Sequence, residues 1–426
     1  MNFDYDNSFI KDNIFKGEFG LEMESLRVDK NGFLSHTKHP FNGNIHIDRD
    51  FCENQIEMIT KVCYSVDSLH NEIKKLRNTV IDKLKTLESG QEFLWSFSNP
   101  PYVRGESDIP IAKFDKDLKE KEIYREYLSE KYGKRKMLFS GIHLNFSFPK
   151  EIIDAGYKES NDGSYKEYKS RIYLELAKKL TAYSWLIVYL TASSPVTDGS
   201  FFKDEDIGKD IPPEYSSYRC SEIGYWNDFI PILKYDSLKE YTESIQKYLD
   251  NGKLKSASEL YYPIRLKPLG ENSLKNLEES GVNHIELRML DLNPLSSAGI
   301  MKEDINFIHI LIIYLMSLED KDLKAEKQIN AIKNIKQASI YDDKKIFIQT
   351  NETKAIPIKE AVLQILNDME NFFAKHYNPN VFAIIEYQRK KIIFPQNRYA
   401  EIIKNNYGTN YVKKGLELAK KYAKEF

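Results

Sequence analysis

Four short segments alternate apolar and polar residues with a period of two, the pattern typical of a β-strand whose two faces meet different surroundings. Their polar faces carry Glu22 and Glu24 in residues 20–28, Glu57 in 54–59, His143, Asn145 and Ser147 in 141–148, and Glu286 and Arg288 in 284–289. One such strand usually turns its polar face to water. Four of them together predict a shared, highly charged surface on one sheet.

If these strands are neighbours, their charged faces gather four glutamates around His143 and Arg288. Carboxylates this close repel one another and take up protons unless cations neutralise them. Oxygen ligands in this number suit Mg²⁺ or Mn²⁺, which carboxylates commonly bind together with substrate phosphates. The pattern therefore predicts a magnesium or manganese site beside a phosphate. Asp50 reaches the same side only if the chain turns near residues 51–53.

Other sequence motifs for nucleotide or hydrolytic chemistry are absent. The chain contains no GxxxxGK[ST] or GxGxxG loop, so nucleotide binding would depend on metal and on Arg288 rather than on a glycine-rich loop. It contains no HExxH and no GxSxG either. A zinc hydrolase is disfavoured because the candidate ligands are nearly all carboxylates.

Helical periodicity separates the short strands. Apolar residues recur at steps of three and four in residues 66–87, and further helices are predicted at 173–192, 307–318, 359–373 and 411–426. Strands divided by such helices indicate an α+β protein. We expect a catalytic α+β domain over residues 1–300 with interleaved helices, and a mainly helical C-terminal region over 301–426 packed on the same unit.

Charge and cysteine content exclude several classes of protein. The 62 Lys and Arg residues nearly balance 64 Asp and Glu residues, for a net charge of −2, so no basic surface for nucleic acid is indicated. Three cysteines without a CxxC pair argue against a disulfide framework and favour a reducing, cytoplasmic location. The acidic N-terminus does not resemble an export signal, and no apolar run is long enough for a membrane helix.

Six blocks of sequence resemble bacterial glutamate–cysteine ligases, also called γ-glutamylcysteine synthetases, and the amino-terminal half of bifunctional glutathione synthases. The blocks are residues 19–28, 50–60, 131–134, 140–147, 261–265 and 284–294, and they follow the family order. The resemblance implies a largely antiparallel, funnel-like six-stranded sheet related to that of glutamine synthetase. It also implies an ATP-dependent ligase that joins the γ-carboxylate of glutamate to the amine of cysteine through a γ-glutamyl phosphate, the first step of glutathione biosynthesis. Because the chain stops at Phe426, we expect no ATP-grasp domain and no glycine addition.

The resemblance also implies roles for individual residues. Glu22, Glu24, Asp50, Glu57, His143 and Glu286 occupy the family's metal-ligand positions, and Arg288 occupies that of the catalytic arginine facing the transferred phosphoryl group. Phe51, Tyr124, Leu128, Tyr225 and Tyr261 match positions that line the cysteine pocket. Asn145 falls where glutamate is contacted, and Arg219 lies in a substrate-binding segment.

Two alternatives stay open. Met23, Ser25 and Leu144 depart from residues common in the family, so the acceptor could be another small amine on the same scaffold. A non-catalytic ligand-binding relative is the second alternative. The expected cofactors are ATP and Mg²⁺, or Mn²⁺ in its place, and the expected partners are small molecules only, with neither nucleic acid nor membrane and a monomer or weak oligomer.

Overall fold

A computed structural model describes residues 3, 5–114, 118–160, 163–320, 322–350, 354–375 and 378–425. Within these residues the strands are β1 (Glu18–Val28), β2 (Ile47–Arg49), β3 (Gln55–Ile59), β4 (Phe93–Leu94), β5 (Gly141–Ser147), β6 (Thr197–Asp198), β7 (Asp210–Ile211), β8 (Ile264–Lys267), β9 (His284–Asp291), β10 (Phe347–Gln349) and β11 (Ala355–Pro357). The central sheet has the order β2-β3-β1-β5-β9-β8, with every neighbouring pair antiparallel. The short strand β4 pairs with the end of β1.

Helices cover the sheet and form most of the C-terminal region. They are α1 (Ser8–Asn13), α2 (Val66–Lys85), α3 (Lys119–Tyr132), α4 (Lys150–Glu159), α5 (Tyr165–Thr191), α6 (Leu238–Asp250), α7 (Leu274–Ser280), α8 (Lys302–Ser317), α9 (Ala325–Ala338), α10 (Ile358–Ala374), α11 (Pro379–Ile393), α12 (Tyr399–Tyr407) and α13 (Tyr411–Lys424). No helix in the described part of the chain is both long and apolar enough to cross a membrane.

The predicted α+β class is confirmed, and the four charged strands are consecutive members of one sheet, β3, β1, β5 and β9. Their register places Glu24 opposite Glu57, Glu22 opposite His143, and Asn145 opposite Glu286. Since side chains directly opposite each other lie on the same face, the charged residues share one surface of the sheet.

A register shift interrupts the pairing of β5 with β9 beside His143. Ile142 pairs with Leu290, but Leu144 pairs with Leu287, so His143 alone faces both Arg288 and Met289. Such β-bulges bend a strand locally and redirect side chains next to binding sites. Here the extra residue adjoins Arg288, whose backbone N–H donates instead to the carbonyl of Pro263.

The other face of the sheet is the hydrophobic core. Met23, Met58, Ile142 and Leu287 are essentially inaccessible there, and α5 packs against β8, β9, α8 and α9. The expectation that α5 begins near residue 173 was wrong, because the helix starts at Tyr165. Ser164 accepts the N–H of Glu167 as its N-cap, and the first turns are too polar to show in the apolar pattern.

The C-terminal region is mainly helical, as expected, with the β10–β11 hairpin between α9 and α10. Its last predicted residue, Phe426, lies outside the described residues. The division of the chain into domains at residue 300 stays a prediction.

Candidate active site

A cavity of about 310 Å³ opens over the charged face of the sheet. Among the described residues that line it are all but one of the predicted site residues: Glu22, Glu24, Asp50, Phe51, Glu57, Tyr124, Leu128, His143, Arg219, Tyr225, Tyr261, Glu286 and Arg288. Asn145 is the exception. Its side-chain N–H donates to Glu22 Oε1 at 3.0 Å, so it lies on the same face and contacts a residue that lines the cavity.

Asp50 enters the cavity because the chain reverses between β2 and β3. The N–H of Gln55 donates to the carbonyl of Cys52, and the N–H of Asp50 donates to the carbonyl of Gln55. This tight turn brings Asp50 to the same side as Glu57, as required by the odd spacing between the two residues.

Carboxylates crowd the floor of the cavity. Burial and the nearby charge of Asp50 raise the pKa of Glu24 to about 8. Burial and the neighbouring carboxylates, Asp50 first among them, raise the pKa of Glu57 well above its usual range. The protein thus keeps acids here that are only partly neutralised by its own cations, the condition under which a bound divalent cation is favoured.

Three side chains on adjacent strands could hold one such cation. Ligand atoms of Glu22, His143 and Glu286 lie within 4.8 Å of one another. His143 Nδ1 is 3.3 Å from Glu22 Oε2, whereas Nε2 has no hydrogen-bond partner among the described residues although it is buried. A free imidazole nitrogen aimed among carboxylate oxygens fits Mg²⁺ or, more readily, Mn²⁺.

Cations border the acids on the β9 side. Arg288 Nη1 donates to Glu286 Oε2 at 2.9 Å, and Lys267 Nζ lies 3.5 Å from Glu286 Oε1. Burial opposes ionisation of Glu286, but Arg288 and Lys267 hold its pKa well below the usual range. Glu286 therefore stays ionised, and it holds Arg288 at the edge of the acidic floor.

Arg219 lies over the sheet next to Arg288. Its Nη1 donates to the backbone carbonyl of Arg288 at 2.6 Å. The guanidinium group crosses directly above Gly141, where any Cβ atom would collide with it. The N–H of the same glycine donates to Glu24 Oε2 at 2.8 Å, so a glycine at this position allows both contacts.

Aromatic and apolar side chains form the opposite wall. The rings of Tyr225 and Tyr261 have centroids 4.0 Å apart, and Tyr124 and Leu128 project from α3 beside them. Phe51 and Leu128 are buried. This wall offers a small pocket lined by aromatic and apolar side chains next to a charged floor.

Sequence reasoning missed several lining residues: Lys121, Arg125, Met137, Phe139, Ser258, Arg265, Lys267 and Asn272. Arg265 and Lys267 alternate on β8 like the acids on the other strands, so their spacing carried a usable signal. Lys121 and Arg125 lie one helical turn apart on α3, where basic residues look like an ordinary solvated face.

Comparisons with known proteins show which family this chain is similar to. Residues 6–338 match the family model described as glutamate–cysteine ligase. The chain is 37% identical over 428 residues to a glutathione biosynthesis bifunctional protein of Listeria monocytogenes, covering 97% of this chain and 55% of that protein. A protein of the same description from Clostridium perfringens is 35% identical over 434 residues, with 98% and 55% covered. The chain thus spans about half the length of these curated relatives.

Two solved structures share the fold. The bifunctional glutathione synthetase of Pasteurella multocida superimposes with a TM-score of 0.83 at 25% identity, covering 99% of this chain and 54% of that one. The glutamate–cysteine ligase of Francisella tularensis, in complex with AMP, superimposes with a TM-score of 0.84 at 24% identity, covering 96% of this chain and 89% of that one.

Proposed function

Because the chain belongs to the glutamate–cysteine ligase family, we propose that it joins the γ-carboxylate of glutamate to the amine of cysteine at the expense of ATP. The γ-carboxylate oxygen attacks the γ-phosphorus of ATP and releases ADP. The amine nitrogen then attacks the carbonyl carbon of the acyl phosphate, and inorganic phosphate leaves as the amide forms. This reaction is the first step of glutathione biosynthesis.

One observation carries the proposal: six acid and imidazole side chains and Arg288 converge from four strands and a turn on a single cavity. Transfer of a phosphoryl group needs its negative charge neutralised and its two oxygens held in line, which positioned cations accomplish without covalent help. A purely structural cluster would pair its acids with basic residues. Here Glu24 and Glu57 lie opposite each other instead.

The acids have a consistent role in this proposal. Glu22, Glu24, Asp50, Glu57, His143 and Glu286 would hold Mg²⁺, or Mn²⁺ in its place, and these ions would supply charge neutralisation at the phosphates of ATP. Arg288 faces the same space and would contact the transferred phosphoryl group. Its bond to Glu286 keeps its guanidinium group in one orientation.

The opposite wall suits the acceptor. Water competes with the amine for an acyl phosphate, so aminolysis needs a dry pocket. We assign the cysteine side chain to the pocket formed by Phe51, Tyr124, Leu128, Tyr225 and Tyr261. Arg219 would contact a carboxylate of a substrate, and Asn145 would orient Glu22 or touch glutamate.

We further propose that the protein acts in the cytoplasm on small molecules alone, as a monomer or weak oligomer. Its three cysteines, Cys52, Cys63 and Cys220, are all buried free thiols, which suits a reducing compartment.

A substrate panel tests the function. The full chain is incubated with glutamate, ATP and a series of small amines, with and without Mg²⁺, and both ADP and the mass of the product are measured. We expect cysteine to be the preferred amine by kcat/KM and turnover to require the metal. Preference for another amine would identify that amine as the acceptor in place of cysteine. Absence of glutamate-dependent ADP release would identify a non-catalytic relative.

A further inference from the structure

Helix α3 contributes four residues to the cavity but has little apolar surface to hold it in place. Lys121, Tyr124, Arg125 and Leu128 line the cavity. Leu128 is nevertheless the only buried side chain in the helix, all of whose residues the structure describes. Since most helical stability in proteins comes from packing an apolar face, polar interactions must help to fix this helix.

One such interaction is a buried carboxylate at the C-terminal end of α3, which adds to the bond from Arg125 Nε to the carbonyl of Asp50. Glu259 is fully inaccessible to solvent. Its Oε1 accepts from Lys131 Nζ at 2.7 Å and from the hydroxyl of Tyr132 at 2.7 Å. Its Oε2 accepts from the backbone N–H of Lys255 at 2.6 Å. One acid therefore ties the last turn of α3 to the segment around residues 253–259.

The same carboxylate continues into the aromatic wall. Glu259 immediately precedes Leu260 and Tyr261, and the ring of Tyr132 packs edge-on against that of Tyr261 at 5.3 Å. Asn227 adds a second connection, because its side-chain N–H donates to the hydroxyl of Tyr132 at 3.0 Å and its Oδ1 accepts from the N–H of Tyr261 at 2.9 Å. The positions of α3 and of Tyr261 thus depend on the same set of hydrogen bonds.

We propose that Glu259 is a positioning residue that sets the shape of the acceptor pocket by holding α3 against the Tyr261 segment. The inference deepens the proposed function and rests on it for the identity of the acceptor. Glu259 is not among the described residues that line the cavity, so it acts through Tyr132, Lys131 and Tyr261 and not on the substrate itself. Hydrogen bonds to a charged group are the stronger kind, which suits an acid that supplements the few apolar contacts of this helix.

The acidic floor and the acceptor wall of the cavity therefore depend on different contacts. Strands carry the acidic floor except for Asp50, whose backbone carbonyl accepts from Arg125 Nε of α3 at 2.5 Å. The hydrogen bonds between the strands do not involve Glu259. Three residues of the acceptor wall, Tyr124, Leu128 and Tyr261, lie on α3 and the Tyr261 segment, which do depend on it. Weakening the Glu259 contacts should therefore disturb the acceptor and leave ATP and glutamate nearly unaffected.

The first measurement is amide hydrogen exchange of the full chain. In Glu259→Gln, which removes the charge and keeps one acceptor oxygen, we expect exchange in residues 119–132 to become about tenfold faster, with the strands unchanged. The matched control is Glu175→Gln, which removes another buried carboxylate, paired with Lys178 at 2.8 Å on α5 and away from the cavity. The control should leave exchange in α3 as it is.

The second measurement is steady-state kinetics with cysteine, glutamate and ATP varied in turn. For Glu259→Gln we expect the KM for cysteine to rise about tenfold, with kcat and the KM values for ATP and glutamate within about twofold of wild type. A merely structural role would lower the active fraction and leave all three KM values unchanged. Tyr132→Phe removes only the hydroxyl and should shift the KM for cysteine in the same direction by a smaller factor, which decides the matter if Glu259→Gln does not fold.

The outcomes separate the two proposals. If wild type forms no amide with cysteine, the proposed function is lost, and exchange in α3 still decides whether Glu259 holds the helix. If wild type is active but exchange in α3 and the KM for cysteine are unchanged in both variants, the positioning role is overturned and the proposed function stands.

Discussion

His143 and His309 are both buried against the central sheet, on opposite faces. His143 lies on the cavity face among carboxylates, with Arg288 nearby. His309 projects from α8 onto the core face, where its ring contacts those of Phe19 and Phe146 at 5.0 and 5.7 Å. Each has an Nε2 atom without a hydrogen-bond partner among the described residues.

The difference between the two histidines lies in their neighbours. Burial and Arg288 lower the pKa of His143 by more than Glu22 and Glu286 raise it. The unprotonated ring therefore presents a free nitrogen lone pair beside carboxylate oxygens that could bind the same cation. Burial alone dominates at His309 and lowers its pKa to about 4. Burial of a polar residue is thus no sign of function by itself. Charged neighbours that remain unneutralised around the buried residue are the more informative feature.

Substitutions at consecutive residues of β3 should separate the two faces most clearly. Glu57 faces the cavity, and we expect Glu57→Gln to lower kcat by about 1000-fold, or about 4 kcal/mol, because a metal ligand is lost. The free energy of unfolding without metal should be unchanged or higher, since charge repulsion with Asp50 and Glu24 is relieved. Product assays and urea unfolding check both values. Near-normal turnover would remove Glu57 from the site.

The next residue, Met58, is completely buried on the core face. We expect Met58→Ala to lower the free energy of unfolding by about 3 kcal/mol, because it leaves a cavity in the core. The kcat per folded molecule should stay within about twofold of wild type. Urea unfolding and active-site-normalised rates measure this pair of values, and a large loss of kcat in the folded variant would show that the two faces are not independent.

The smallest expected effect concerns acid stability at His309. Because its folded pKa of about 4 lies below the unfolded value, the unfolded state binds the proton first as the pH falls. Stability is therefore retained at neutral pH and lost as the pH falls from about 6.5 towards 4, by about 2 kcal/mol between pH 7 and pH 5. In His309→Gln this part of the pH dependence should disappear in urea unfolding series. If the dependence of the unfolding free energy on pH is unchanged in His309→Gln, another group is responsible for it.

The charged face could be predicted from sequence because strand alternation is a local property. Once Glu22, Glu57, His143 and Glu286 are assigned to strands, the period of two fixes which side they share. Only the assumption that the strands are neighbours was needed, and the observed strand order confirms it.

Residues outside the strands were less accessible to such reasoning. Asp50 and Arg219 lie on turns, and their direction depends on backbone reversals that spacing alone does not determine. The contribution of α3 was missed beyond Tyr124 and Leu128, because Lys121 and Arg125 look like an ordinary solvated face and the contacts of the helix with Glu259 join residues far apart in sequence. The β-bulge beside Arg288 also leaves no signature in the alternation of residues 284–289.

The three buried thiols have a consequence for a protein that would handle a free thiol as substrate. Burial raises the pKa values of Cys52, Cys63 and Cys220, so few of these side chains exist as the thiolates that attack disulfides. Cystine and mixed disulfides that accompany cysteine in solution thus find no nucleophilic sulfur at the surface. The fold thus keeps its own thiols buried and unreactive, and the only reactive thiol near the cavity would be that of the substrate.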